Sequence, residues 1–262
     1  MSIDELRSNA TILPVEPLLR ATARAEKRHF WFRGFRAFVT PLVELALRGR
    51  QKPRIVDCGC GTGANVELLS RYGQAFGFDL SPAGIQLGRE SGRTRLARAS
   101  ATAAPFPSGA FDLVTSFDVL YALDEPHERA AVREMFRLLR PGGYALVNVA
   151  AMSALRGDHS VLSREVRRYD RESLRRLLAG AGFIIERLTY TNFVPFLPLA
   201  LVRFVQRWRG LAPEADAEHE IAVPWLPVNT ALTMLLLIES RWLPYLDSPA
   251  GSSLLCLARK PA

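Results

Sequence analysis

The sequence predicts an α/β fold, a mostly parallel sheet with helices on its faces, and three observations carry that expectation. From Arg54 onward, short apolar runs alternate with helical patterns, the signature of βαβ units. The first of those runs, RIVDCG, ends in a glycine-rich turn that opens a helix. The chain has 262 residues, 48% of them apolar, enough to bury one core with elaborations or at most two small ones.

Residues 1 to 50 read as an amphipathic helical extension that includes EKRHFWFRGFRAFVTPLVELALRG. The first strand, RIVDCG, leads through its turn into the helix ANVELLSRYG, and the second strand, QAFGFDL, into the helix SPAGIQLGRE. A weaker third strand lies near TRLARAS. The fourth is FDLVTSFDV, followed by the helix PHERAAVREMFRLLR, which is expected to run up to Pro141-Gly142-Gly143. YALVNVAA reads as the fifth strand, RESLRRLLAGAG as a helix, FIIERLTY as the sixth strand and SSLLCLARK as the last. Between the sixth and last strands lie two further helical patterns, PLALVRFVQRWRG and NTALTMLLLIESRWL. A connection of that length has a job or a structure of its own. The expected division is therefore a helical extension over 1–50, an α/β core over 51–190, a helical cap over 191–250 and a closing core strand over 251–262.

Cys58, Cys60 and Cys256 are too few for a disulfide framework, which points to a reducing compartment and a cytoplasmic protein. The N-terminal MSIDELRSNATILPVEPLLR carries acidic residues where a secretion signal would carry positive charge. Phe193 to Val205 is too short to span a bilayer, and Ile221 to Ile238 contains Pro224, Pro227, Asn229 and Thr230, so neither is expected to cross. The net charge of +8 invites a nucleic-acid reading. Yet only Lys27, Lys52 and Lys260 are lysines, so the basicity is arginine in an alanine-rich chain, a composition effect. The chain also lacks the Asn/Asp-Pro-Pro-aromatic turn with which base-amino enzymes hold a flipped base.

The segment RIVDCGCGTGANVELL carries the most chemistry. A buried strand delivers Asp57, and Gly59, Gly61 and Gly63 alternate before a helix N-terminus with its exposed N–H groups. Asp57 is placed to accept from an ammonium group or to orient the loop. Asp79 ends the second strand about 20 residues beyond the loop, where a carboxylate can take both hydroxyls of a ribose. These features alone suit a nicotinamide dinucleotide or S-adenosylmethionine.

Four segments in order carry a resemblance. Asp57-Cys58-Gly59-Cys60-Gly61-Thr62-Gly63, FDLSPAGI, APFPSGAFDLVTSFDVLYAL and LRPGGYALV resemble the successive motifs of class I S-adenosylmethionine-dependent methyltransferases over roughly residues 54 to 150. The resemblance implies a Rossmann-like seven-stranded sheet with the last strand antiparallel, and S-adenosylmethionine as cofactor. The cofactor-contacting set it implies is Asp57, Gly59, Cys60, Gly61, Gly63, Asp79, Leu80, Ser100, Ala101 and Phe117, with Asp79 as the ribose ligand and the glycines against the methionine part. Ser100 stands where the family commonly has an acidic residue near the adenine amino group, and Ala122 where many members have a histidine. A bacterial subgroup is also resembled through His29-Phe30-Trp31-Phe32-Arg33 and Arg167-Arg168-Tyr169. Glu165 and Ser160 stand where that subgroup carries Asp and His upstream, so no substrate role is carried over to that loop.

Asp118 and Tyr121 follow the fourth strand, facing the crevice of an open sheet, and with His29 and His159 are the candidates for a general base. No residue compels that assignment, because a sulfonium methyl is already activated. Plainer readings compete: His127 as a helix-start residue, Trp31 and Phe32 as packing, Asp112 as structural, and Cys58 and Cys60 as glycine-loop residues with no metal. The expected acceptor is a small or lipid-linked molecule. The alternatives are a nucleic-acid methyltransferase and a cofactor-binding partner without activity. For the segment around 191 to 246, with Arg203, Arg207, Arg209 and Arg241 beside apolar faces, the readings are a substrate cap, a homodimer contact, or peripheral contact with the inner membrane face.

Overall fold

The structure, a computed structural model, describes residues 16–157, 160, 163–210 and 221–262. Strands β1 (Arg54–Cys58), β2 (Gln74–Asp79), β3 (Leu96–Arg98), β4 (Phe111–Phe117), β5 (Leu139–Ala150), β6 (Ile184–Thr191) and β7 (Ser253–Arg259) form one sheet in the order β3-β2-β1-β4-β5-β7-β6. β1 to β5 pair in parallel. β7 enters between β5 and β6 and runs antiparallel to both, so the last strand is the antiparallel one. This is the Rossmann-like sheet expected.

The central strands are apolar on both faces because helices cover both. Alternate residues divide between two cores with the period of the pleat. Ile55, Leu113, Leu146 and Leu255 join one core, and Val56, Val114, Val147 and Leu254 the other. The first core receives α2 (Phe30–Ala46), α3 (Ala64–Leu69), α4 (Pro82–Glu90) and Leu236 and Leu243, on and just after α8 (Leu226–Trp242). The second receives α5 (Glu125–Leu138) and α6 (Arg171–Gly180). α1 (Glu16–Ala25) precedes α2, and α7 (Phe196–Arg209) follows β6.

Short polar side chains start the helices where free N–H groups need partners. Ser81 Oγ accepts from Gly84 N at 3.2 Å, Asp124 Oδ1 from His127 N at 3.0 Å, and Asp170 and Ser173 form a reciprocal capping box. His127, beside Asp124 on the surface, is thus a helix-start residue and does not face the cavity described below. Asp112 accepts from the Arg54 backbone N–H at 2.9 Å and pairs with Arg140, tying β1 to the start of β5.

Several boundaries differ from expectation. Among the described residues, the N-terminal stretch from Glu16 on forms two helices broken between Ala25 and Phe30, with His29 Nδ1 accepting from Trp31 N to cap the second. The helix after the glycine turn stops at Leu69. The helix expected to reach Pro141 stops at Leu138, because β5 begins at Leu139 and absorbs Pro141-Gly142-Gly143 as a bulge between the Phe111–Leu139 and Leu113–Tyr144 pairs.

α8 packs along α2. Any side chain at Gly34 would collide with Leu236, since a Cβ there would lie 2.4 Å from its Cδ1. Asn229 bridges both chain segments, accepting from Phe30 N at 2.8 Å and donating to Arg28 O at 2.9 Å. Glu239, fully buried, accepts from Phe193 N and Val194 N and so fixes the turn after β6. Among the described residues, no helix is long and apolar enough to cross a membrane.

Candidate functional site

A cavity of about 960 Å³ opens over the carboxyl ends of β1, β2 and β4, where the strand order reverses. That crevice is where open α/β sheets bind ligands. One end of it is built by the turn after β1. Gly59 takes φ +77°, and a Cβ there would meet Val119 Cγ2 at 2.3 Å, so both the turn and its approach to the chain after β4 require glycine. Gly63, at φ 81°, caps α3 with no side chain available to do so.

Asp79 holds this turn. Its Oδ2 accepts from Gly61 N at 2.8 Å and its Oδ1 from Ser81 N at 2.8 Å. A carboxylate offers about four lone-pair sites, so accepting capacity remains beside the cavity that Asp79 lines. Burial raises its pKa, and the backbone N–H groups of Ser81, Gly61 and Leu80 oppose that shift.

Asp57 lies deeper. It is 1% exposed, accepts from Thr115 Oγ1 at 2.6 Å, and does not line the cavity; its Oδ2 has no partner among the described residues. Gly63 is likewise off the wall. Gly59, Cys60, Gly61, Asp79, Leu80, Ser100, Ala101 and Phe117 are all on it. Ser100 sits in a tight turn where its Oγ meets Thr102 Oγ1 at 2.8 Å and accepts from Thr102 N at 3.2 Å. Its hydroxyl is therefore engaged locally, and Thr102 joins the wall beside it.

The far end of the cavity is apolar and aromatic. Phe117 meets Phe35 edge to face, Phe35 stacks on Trp31 with centroids 5.4 Å apart, and Leu155 closes the side beyond β5. Trp31 and Phe32 line the cavity as well as packing, and Ala122 is on its wall. A small polar group interrupts this surface. Asp118, at φ 61°, accepts from Asn148 Nδ2 at 2.9 Å, and burial pushes its carboxyl up to about 7. Tyr121, hydrogen-bonded to Ser163, is pushed well above the ordinary phenol range by burial. Arg168 holds Glu165 through two bonds of 2.7 and 2.9 Å, and both line the cavity. His29 also lines it, but its Nδ1 is committed to capping α2. His159 lies outside the described residues.

Sequence reasoning missed one cluster that closes over the turn. Glu26 is buried just after α1, where Thr62 Oγ1 donates to its Oε2 at 2.7 Å and Arg93 pairs with its Oε1. Arg93 donates onward to Thr62 O at 3.1 Å and to Glu67 at 3.1 Å. The arrangement joins three segments far apart in sequence. Glu26 stands among Arg24, Lys27 and Arg28 in the sequence, so nothing local marked it as a buried partner.

The buried carboxyl of Asp57 gives a pH dependence. Burial pushes Asp57 up to about 7 from about 4 in an unfolded chain. A raised folded pKa contributes stability below the unfolded value, and that contribution is lost as pH rises through the folded one. Asp57→Asn is therefore expected to gain melting temperature relative to the wild type as pH rises from about 4 to about 7, with a constant gap above that. Thermal melts across this window check it, and parallel curves for the two proteins would contradict it.

Residues 56–147 match the methyltransferase domain family. A ubiquinone/menaquinone biosynthesis C-methyltransferase, UbiE, of Edwardsiella ictaluri is 30% identical in an alignment 181 residues long that covers 55% of this chain and 70% of that protein. Among solved structures, an S-adenosylmethionine dependent methyltransferase from Mesorhizobium loti superposes with a TM-score of 0.52 at 19% identity, over 85% of this chain and 97% of its own. The [4+2]-cyclase SpnF superposes with a TM-score of 0.55 at 24% identity, over 86% and 81%. At these identities the structural likenesses speak for the fold alone.

Proposed function

The chain belongs to the methyltransferase domain family of S-adenosylmethionine-dependent enzymes, and on that premise we propose that it methylates an apolar or lipid-linked small molecule held against the aromatic end of the cavity. The observation that carries this is the cavity itself, with a glycine turn and ribose-type carboxylate at one end and an apolar wall at the other. Its volume of about 960 Å³ is at the upper end of small-molecule sites, room for two molecules side by side.

The residues present fit the cofactor. Asp79 offers its remaining lone pairs to the ribose hydroxyls, Gly59 to Gly61 leave room for the methionine part, and the turn at Ser100 and Ala101, with Leu80, borders the adenine. Asp57 and Gly63 act through the loop they support. Bound S-adenosylmethionine supplies a methyl group already activated on a sulfonium. The protein's share is alignment and a dry pocket. Phe117, Phe35 and Trp31 exclude water and offer faces to a planar or chain-like acceptor. Asp118 is the group suited to receive a proton from a hydroxyl or ammonium acceptor, since its carboxyl titrates near neutrality beside an apolar surface. Tyr121 and the Glu165–Arg168 pair position the acceptor, and His29 serves α2. Three buried free cysteines support a reducing compartment, which we take to be a bacterial cytoplasm.

The test uses S-adenosylmethionine labelled in its methyl group, incubated with the protein and either a lipid extract or a water-soluble metabolite pool. Label is expected in the organic-extractable fraction. Asp118→Asn is expected to slow that transfer by about 100-fold or more where the acceptor loses a proton, with S-adenosylhomocysteine affinity unchanged. Label confined to the water-soluble pool would overturn the apolar acceptor.

A further inference from the structure

We propose that α7 and α8 form a membrane-docking face that seats the enzyme on an anionic bilayer, so that its acceptor enters the cavity from the lipid. This deepens the apolar-acceptor reading and rests on it.

An ordinary surface helix turns its apolar stripe inward and its polar side to water. α8 does the reverse. Its buried face carries Asn229, Thr233 and Glu239 beside Leu236, while Val228, Met234, Leu235 and Ile238 are exposed. The buried polar groups are occupied in fixing α2 and the turn after β6, so their inward placement is structural. Among the described residues, nothing packs over the outward apolar set. On α7, Leu201, Phe204, Val205 and Trp208 recur at i, i+3, i+4 and i+7, one face of a helix. All four are exposed, Leu201 at 65% and Trp208 at 84%. Trp225 opens α8 at 76% exposed, and Tyr245 follows it at 84%. A soluble surface does not ordinarily gather this much apolar area in one segment.

Charge and residue type choose the occupant. Indole and phenol rings pair an apolar body with a polar tip and suit a headgroup boundary. Arg209 and Arg241 are exposed at the ends of the two helices, and the whole chain carries +8. Such a surface is drawn to anionic headgroups, with arginine heads staying wet while their stems cover apolar surface. The face is also continuous with the cavity. Val202 of α7, itself exposed, lines the cavity together with Leu232 of α8 and with Pro195, Ile221 and Pro224 beside them. An apolar molecule dissolved in the bilayer can thus pass into the cavity without crossing water. A second copy of the chain on this face would close that entrance.

The experiment is flotation of the intact protein with vesicles of phosphatidylcholine alone or mixed with phosphatidylglycerol, beside light scattering and S-adenosylhomocysteine binding. Wild type is expected to float with the anionic vesicles, about tenfold more weakly with neutral ones. The Phe204→Ser/Trp208→Ser variant, and separately Trp225→Ser, are expected to lose flotation while binding S-adenosylhomocysteine as before. These side chains are already exposed, so the fold does not depend on them. No flotation with either vesicle, or a dimer in solution that the same substitutions dissolve, would overturn the proposal. Loss of S-adenosylhomocysteine binding by the wild type would instead strike the methyltransferase reading and leave the vesicle result standing on its own.

Discussion

Asp79→Ala is expected to weaken S-adenosylhomocysteine binding by about 100-fold or more, because it removes two charge-assisted hydrogen bonds worth about 1.5–3 kcal/mol each. It also frees the N–H groups of Gly61 and Ser81, which now converge on the same carboxylate. Asp79→Asn separates the two contributions. The amide oxygen can still accept from one N–H or one hydroxyl, so its loss is expected to fall between wild type and Asp79→Ala. Calorimetry measures both. Equal, small losses in the two variants would mean that the carboxylate serves the turn and not the ligand.

Glu26→Ala is expected to lower stability by about 3 kcal/mol, since breaking a buried ion pair leaves a charge without its partner. The side chains of Arg93 and Glu26 are 6% and 4% exposed, so solvent cannot replace the lost carboxylate. Arg93 keeps Glu67 and the Thr62 carbonyl, which holds the cost toward the lower end of such cases. For a chain of this size that corresponds to a fall in melting temperature of about 6–12 °C. Replacing both partners by apolar residues, Glu26→Leu with Arg93→Met, is expected to recover most of it. A single variant that melts with the wild type would show that the cluster contributes no net stability. Because Thr62 belongs to the glycine turn, Glu26→Ala is also expected to weaken S-adenosylhomocysteine, linking the N-terminal segment to the cofactor end of the cavity.

What could be read from the sequence was what is local in it. The central strands announce themselves by adjacent apolar residues, Ile55-Val56 in RIVDC and Leu113-Val114 in FDLVTSF, because parallel strands covered on both faces need not alternate apolar with polar. The cofactor end is equally local, a seven-residue turn and one aspartate a helix and strand later. The unread features were of two kinds. Some lay in geometry that spacing cannot convey: Asp57 sits beneath the turn against Thr115, and the Ser100 hydroxyl is engaged by Thr102. Others lay in pairings between distant segments. Glu26 with Thr62 and Arg93, Asn229 with Phe30, and Glu239 with Phe193 each join residues that no local pattern relates. The acceptor end is assembled almost entirely from such pairings, and so it was the least legible part. The apolar faces of the insertion were noticed in the sequence, but their direction was not. Periodicity shows that a helix has an apolar face without showing whether that face looks inward. The side chains of Arg203 and Arg207 lie outside what is described, whereas Arg209 and Arg241 are exposed.

The most direct measurement of the central claim is calorimetric titration of the free protein with S-adenosylhomocysteine and, separately, with NAD. The two ligands share the ribose that Asp79 would hold, so they distinguish the methyltransferase site from a dinucleotide site built on the same turn. The account predicts a one-to-one complex with S-adenosylhomocysteine that Asp79→Ala weakens by about 100-fold or more, and no heat of binding with NAD. Tight binding of NAD with none of S-adenosylhomocysteine would contradict it.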